Sequence, residues 1–165
     1  MHYPHGNDIF EAFIADYAKA LKRKGIDVAY LWVREQETSI NHHYHLCLWL
    51  NGNEVQHHKN VLDLAERIWA YKVSMNPDVN NGLVHYCAID NYGHFIDNGI
   101  MLVRNSQDEQ KNFSRIIYSS SYLAKTFTKG AVMPGVRQFN HSRIYNRPFD
   151  QNIIPDNAYG QQSPI

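Results

Sequence analysis

Two runs rich in aromatic and β-branched residues, 28–34 and 43–50, stand on either side of the polar segment 36–42, and they dominate what this chain can become. Runs of that length and composition are strands, and with a polar connection between them they pair as an antiparallel hairpin that ends at Asn51-Gly52-Asn53. Side chains alternate along a strand, so His43, His45 and Cys47 project from one face while Tyr44, Leu46 and Leu48 project from the other. One side of the hairpin is therefore greasy and needs cover, and the other carries imidazoles.

The cover comes from helical stripes. Ile9, Phe10, Phe13, Ile14, Tyr17, Ala18 and Leu21 recur at three- and four-residue intervals, which predicts a helix over 8–24 with Asp8 as N-cap and Gly25 at its end. Val61, Leu64, Ala65, Ile68, Trp69 and Lys72 predict a second helix, stopped near Asn76-Pro77. The Asn80-Asn81-Gly82 turn then predicts a strand over 83–89, with Phe95 and Ile96 as a short edge strand. Residues 107–129 carry the last helical pattern, Gly130 marks its end, and the chain beyond Pro134 reads as irregular. Such an order gives an α+β fold, a central antiparallel sheet with helices packed mainly on one face and the other face left for a ligand. At 165 residues and 19.2 kDa the chain fits one domain, expected over 1–147, with an irregular tail over 148–165.

Sixteen basic residues balance sixteen acidic ones, yet their distribution is uneven. Residues 1–100 hold eight basic and twelve acidic groups, and residues 101–165 hold eight and four, so the second part is cationic. From Lys111 to Arg147 there are seven basic residues and no acidic one, which suits a polyanion. Two cysteines, Cys47 and Cys87, lie in apolar runs and read as reduced thiols. There is no membrane span and no signal-peptide pattern at residues 1–7, so a soluble protein of the cytoplasm with no membrane partner is expected.

Two groups of residues can do chemistry. Pairing the hairpin strands across the polar segment brings the Glu35 carboxylate near His43 and His45, and two imidazoles with a carboxylate suit a divalent ion while leaving positions open for substrate oxygens. With ten histidines, a His-x-His pair arises by chance in about half of such chains, so the motif has little specificity alone. Glu37 shares the face of Glu35 and is an alternative ligand, whereas His42, His57 and His58 read as loop residues. The second group is Tyr118, Tyr122 and Lys125, which lie within about 60° of one another on the last helix together with Arg115 and Lys129. Ile116, Ser120, Leu123 and Phe127 form the opposite, packing side of that helix. A phenol near a cation can act as a phenolate nucleophile, but two half-buried interfacial tyrosines beside a snorkelling lysine would give the same pattern. Taken together, an ion held by Glu35, His43 and His45 and a tyrosine attacking phosphorus would nick a DNA strand and leave a covalent phosphotyrosine.

These residues resemble those of the HUH endonucleases, the superfamily of rolling-circle replication initiators, relaxases and related transposases. His43-Tyr44-His45 matches the pattern that names them, Arg34-Glu35 stands where initiators place an upstream carboxylate, and Tyr118 to Lys125 is similar to the two-tyrosine version. A closer resemblance, over residues 25–143, is to the YagK/YfjJ-like or inovirus-type replication proteins of prophages and filamentous phages. It rests on Tyr30-Leu31-Trp32-Val33-Arg34-Glu35, His43-Tyr44-His45 through Asn51, Ser121-Tyr122-Leu123-Ala124-Lys125, Gly135-Val136-Arg137 and Ser142-Arg143. The resemblance implies a replication-initiator nuclease fold with an RRM-like palm, a Mg²⁺ or Mn²⁺ requirement, and single-stranded DNA or an origin hairpin as substrate in a bacterial host cell. It implies Tyr122 as nucleophile, Tyr118 as second nucleophile, Lys125 as charge balance, and Arg115, Lys129, Arg137 and Arg143 as DNA contacts. It also implies a strand before the first helix for which this sequence, starting at His2-Tyr3-Pro4, has no room, so the expectation is either a truncated product or a sheet that lacks that strand. No Gly-rich nucleotide loop is present, so unwinding would fall to a helicase of the host. Two rivals come from other classes: a DNA-binding remnant without catalysis, and a zinc-binding structural or regulatory protein using His43, His45 and Cys47.

Overall fold

The computed structural model describes residues 6–35, 43–55, 57–79, 81–86, 99–126 and 135–143, apart from the side chains of residues 122 and 124–126. Its elements are α1 (Asp8–Arg23), β1 (Val28–Glu35), β2 (His43–Leu50), α2 (Lys59–Lys72), α3 (Glu109–Thr126) and β3 (Phe139–His141). The sheet is antiparallel with order β2-β1-β3, so the fold is α+β as the patterning predicts.

Helix α1 forms where the apolar stripe lies, and buries Phe10, Phe13, Ile14, Tyr17 and Leu21. Its cap is Asn7 rather than Asp8, and the Asn7 side chain makes no capping bond because it is engaged elsewhere. Gly25 ends the helix at φ 79°, a conformation that costs a residue with a Cβ. The N–H groups of Gly25 and Ile26 then reach back to the carbonyls of Lys22 and Leu21, closing a Schellman turn. Helix α2 packs on α1 through the Tyr17 hydroxyl, which donates to the Val61 carbonyl at 2.9 Å, and through a Lys72–Asp16 ion pair at 2.6 Å. The Lys72 ammonium holds the Asp16 carboxyl below its ordinary range.

In the β1–β2 ladder Glu35 faces His43, Val33 faces His45 and Leu31 faces Cys47, so these residues share one face. The other face carries Tyr30, Trp32, Tyr44, Leu46 and Leu48, and this is the side on which α1 and α2 lie. Phe10 stacks flat on Tyr44 with ring centres 3.8 Å apart and meets Trp32 edge-on at 5.3 Å. The third described helix, α3, lies over the histidine face, with Leu123 buried and Ser120 hydrogen bonded to the side chain of Cys47. Two helices thus cover the apolar face, while one crosses the face expected to stay open.

The strand predicted over 83–89 does not form over its described part, 83–86. The Glu66 carboxylate of α2 accepts the backbone N–H groups of Asn81, Leu83 and Val84, at 3.0, 3.1 and 2.6 Å, and so takes donors that a ladder would need. Residues 87–89, Phe95 and Ile96 lie outside the described residues, as does the expected tail. The third strand is instead β3, in the stretch read as irregular. Ser142 fixes it by donating its N–H to the Tyr30 carbonyl and accepting the Tyr30 N–H on its hydroxyl oxygen. Among the described residues no helix is long and apolar enough to cross a membrane.

Candidate functional site

β1 and β2 bring two of the three expected ligands into contact. Nε2 of His45 lies 2.6 Å from Oε2 of Glu35, a hydrogen bond in which the imidazole donates. Both groups are mostly screened from water, with side chains 29% and 12% exposed. His43 is exposed and stands opposite Glu35 in the ladder, on the same face. Among the described residues no three His, Cys, Asp or Glu side chains come together as a finished cage for an ion. Glu37 and His42 lie outside the described residues, and His57 and His58 are exposed next to α2.

The opposite side of the same strands holds this region in place. Arg34 is 4% exposed, and its Nη1 donates to Oδ1 of Asn7 at 3.1 Å. The Tyr44 hydroxyl donates to the same oxygen at 3.1 Å, and Nδ2 of Asn7 donates to the Arg137 carbonyl at 2.7 Å. One amide at the head of α1 therefore joins β1, β2 and the approach to β3, directly behind Glu35, His43 and His45. Burial raises the Tyr44 phenol, with the nearby Arg34 charge opposing and Glu11 and Asp8 adding to the rise. Neither Asn7 nor this network was singled out in the sequence. A polar residue just before an apolar stripe signals a cap, and nothing in its spacing reveals partners so far along the chain.

On α3 the side predicted to pack does so, as Ser120 and Leu123 demonstrate. Tyr118, two residues before Ser120 and so about 160° round the helix, is 80% exposed and is not brought to the Glu35–His45 pair. Tyr122 and Lys125 lie in α3, but their side chains, and Lys129 entirely, are outside the described residues. Arg115 is half-buried and bonds the Asn112 side chain, while Arg137 and Arg143 flank β3 and are exposed. Burial pushes the Cys47 thiol up, with the Ser120 bond acting the other way. Cys47 is thus held as a protonated side chain in a packed contact.

A family model, the YagK/YfjJ C-terminal domain, matches residues 7–142, which include α1 and the three described strands. The chain belongs to that family. Among curated proteins it is similar to YagK of Escherichia coli strain K12, described as uncharacterised, with 28% identity over 120 residues that cover 69% of this chain and 53% of the relative. The chain spans about half the length of that YagK protein. No solved structure matches it. The matched segment starts at Asn7 and runs through Ser142, so the network behind the site and the bonds that fix β3 all fall within the YagK/YfjJ domain.

Proposed function

We propose that this YagK/YfjJ domain is a nuclease of the HUH type, which nicks and rejoins single-stranded DNA at a specific site and initiates rolling-circle replication of a phage, prophage or plasmid. The observation that carries the reading is the Glu35–His45 contact, with His43 opposite Glu35 on the same sheet face. A carboxylate oxygen and an imidazole nitrogen at 2.6 Å are both ligand atoms, and a hydrogen between them occupies the place that a cation would take. The donor set therefore fits Mg²⁺ or Mn²⁺, held by Glu35 and His45 with exposed His43 as third ligand. Such an ion would supply Lewis-acid polarisation of a phosphodiester. The chain's own part is the nucleophile. A tyrosine oxygen forms a bond to phosphorus, the bond from phosphorus to the leaving sugar oxygen breaks, and the phenol proton ends on that released hydroxyl. The bond energy stays in the phosphotyrosine, so the reverse step rejoins the strand.

A second reading, DNA binding without catalysis, is favoured by one observation: Tyr118 is open to solvent, on the side of α3 away from Ser120. Incubation with single-stranded fragments of the source replicon and Mn²⁺ separates the two. The nuclease reading expects a slower-migrating covalent adduct that is lost in Glu35→Gln, His45→Ala and Tyr122→Phe and kept in Tyr118→Phe. Salt-sensitive binding to every fragment with no adduct would leave the second reading standing.

A further inference from the structure

Helix α1 turns Phe13 and Tyr17 to the core, and the side about 180° away points from the sheet to solvent. On that side Asp8, Ala12, Ala15, Lys19 and Lys22 fall within about 80° of arc, with Glu11 and Arg23 on its two flanks. All are exposed except Glu11, which is partly covered. The charges are sorted along the helix. Residues 8–16 hold Asp8, Glu11 and Asp16 and no cation, and residues 17–23 hold Lys19, Lys22 and Arg23 and no anion. The helix dipole accounts for acids in the first turn and bases in the last. It does not account for Lys19, nor for Ala12 and Ala15, which stand four residues after Asp8 and Glu11, where a stabilising cation belongs.

Beside the cationic half of α1 runs a groove of about 500 Å³ between α1 and α2. Ala20, Leu64 and Ile68 supply its partly covered apolar surface, and Lys19, Arg23 and Arg67 are its exposed cations. Its acid, Asp16, is held by Lys72 at 2.6 Å, and Arg67 meets Asp78 only at 3.9 Å, so the groove keeps a cationic surplus. A groove between two helices fits a third, and apolar surface ringed by cations fits a slim helix with acidic groups. This chain owns such a helix in the first half of α1. A second copy of α1, antiparallel and centred on Ala15, sets its Asp8 against Lys22 and its Glu11 against Lys19, with alanine on alanine at the crossing. The inclined crossing of packed helices swings that acidic end over the groove. Two-fold symmetry repeats every contact on the other side, so each pair counts twice.

We propose that the outer side of α1 and the α1–α2 groove form a two-fold interface between copies of this chain, in which each copy's Asp8 and Glu11 lie against the other's Lys19, Lys22 and Arg23. The histidine faces of both copies then look outward, away from the contact. The test is sedimentation equilibrium of the full chain in EDTA at two salt concentrations. The unaltered protein is a dimer that loosens as salt rises. Asp8→Lys with Glu11→Lys, and separately Lys19→Glu with Arg23→Glu, each raise the dissociation constant about a hundredfold or more. An equimolar mixture of the two double variants dimerises again, because each reversed half of the helix meets a reversed partner. A monomeric unaltered protein at about 0.1 mM overturns the proposal. So does a dimer that neither double variant weakens, or a mixture that stays monomeric while both variants keep their circular dichroism. If a double variant loses its circular dichroism, Ala15→Arg decides, since it sets two bulky cations against each other at the crossing. That variant is monomeric, and a dimer that survives it overturns the interface.

Discussion

The two faces of the β1–β2 hairpin come from the same sixteen residues and behave as different materials. On one, Trp32 and Tyr44 are locked against Phe10 and the rest of α1, and identity is set by shape and apolar area. On the other, Glu35, His43 and His45 are set by chemistry, and only Val33 in the middle row is buried. The first face makes the domain stable, and the second is free to be specified by something other than stability. The Asn7 network ties them together, because it braces from behind the residues whose side chains emerge in front.

The contrast is broken most directly by truncating one residue on each side. Trp32→Ala should destabilise the fold by about 3–5 kcal/mol in guanidinium denaturation, and His43→Ala by no more than about 0.5 kcal/mol. Equal losses would mean that the histidine face is structural after all. Next in size is the brace. Asn7→Ala removes partners from the buried Arg34 guanidinium, the Tyr44 hydroxyl and the Arg137 carbonyl together, and should cost about 2 kcal/mol. Asn7→Asp keeps the oxygen that accepts from Arg34 and Tyr44, loses the donor to the Arg137 carbonyl, and should recover part of that loss on the same denaturation curves.

A further effect belongs to the apolar side and is seen only in alkali. Burial raises the Tyr17 phenol above its ordinary value of 10.0. Below pH 10 its contribution is fully present; above it, the unfolded chain has lost a proton that the folded chain still holds, so stability falls as pH rises. The fall should approach about 1.4 kcal/mol per pH unit. Tyr17→Phe should flatten it, while leaving the Val61 carbonyl short of a donor at neutral pH. An unchanged alkaline slope in that variant would assign the loss to another group.

Much of the apolar half was legible in the sequence. The stripes of α1 and α2 and the two strand runs carry their periods openly, and the hairpin pairing follows from them, so the meeting of Glu35 with His45 was predictable. The third strand was not, because Phe139-Asn140-His141 is too short to show a period and its exposed row has no hydrophobic signature. The false strand after Gly82 failed for a complementary reason: Leu83 and Val84 look extended, but a glutamate side chain on α2 claims their backbone donors. Sequence patterns report which side chains seek burial, and are silent on which carboxylate or amide will bond a distant backbone. The packing side of α3 was read correctly from Ser120 and Leu123, and that same geometry turns Tyr118 outward.

One consequence of the Asn7 amide concerns the order of events during synthesis. Its bond to the Arg137 carbonyl spans 130 positions, so the entrance of the first helix is completed only when nearly the whole domain has left the ribosome. Until then the margin of β1 that later receives β3 has open backbone donors and acceptors, an invitation to neighbouring nascent chains. A product cut short before residue 137 would carry that open margin permanently, and its fate would be aggregation or degradation rather than a quiet loss of function.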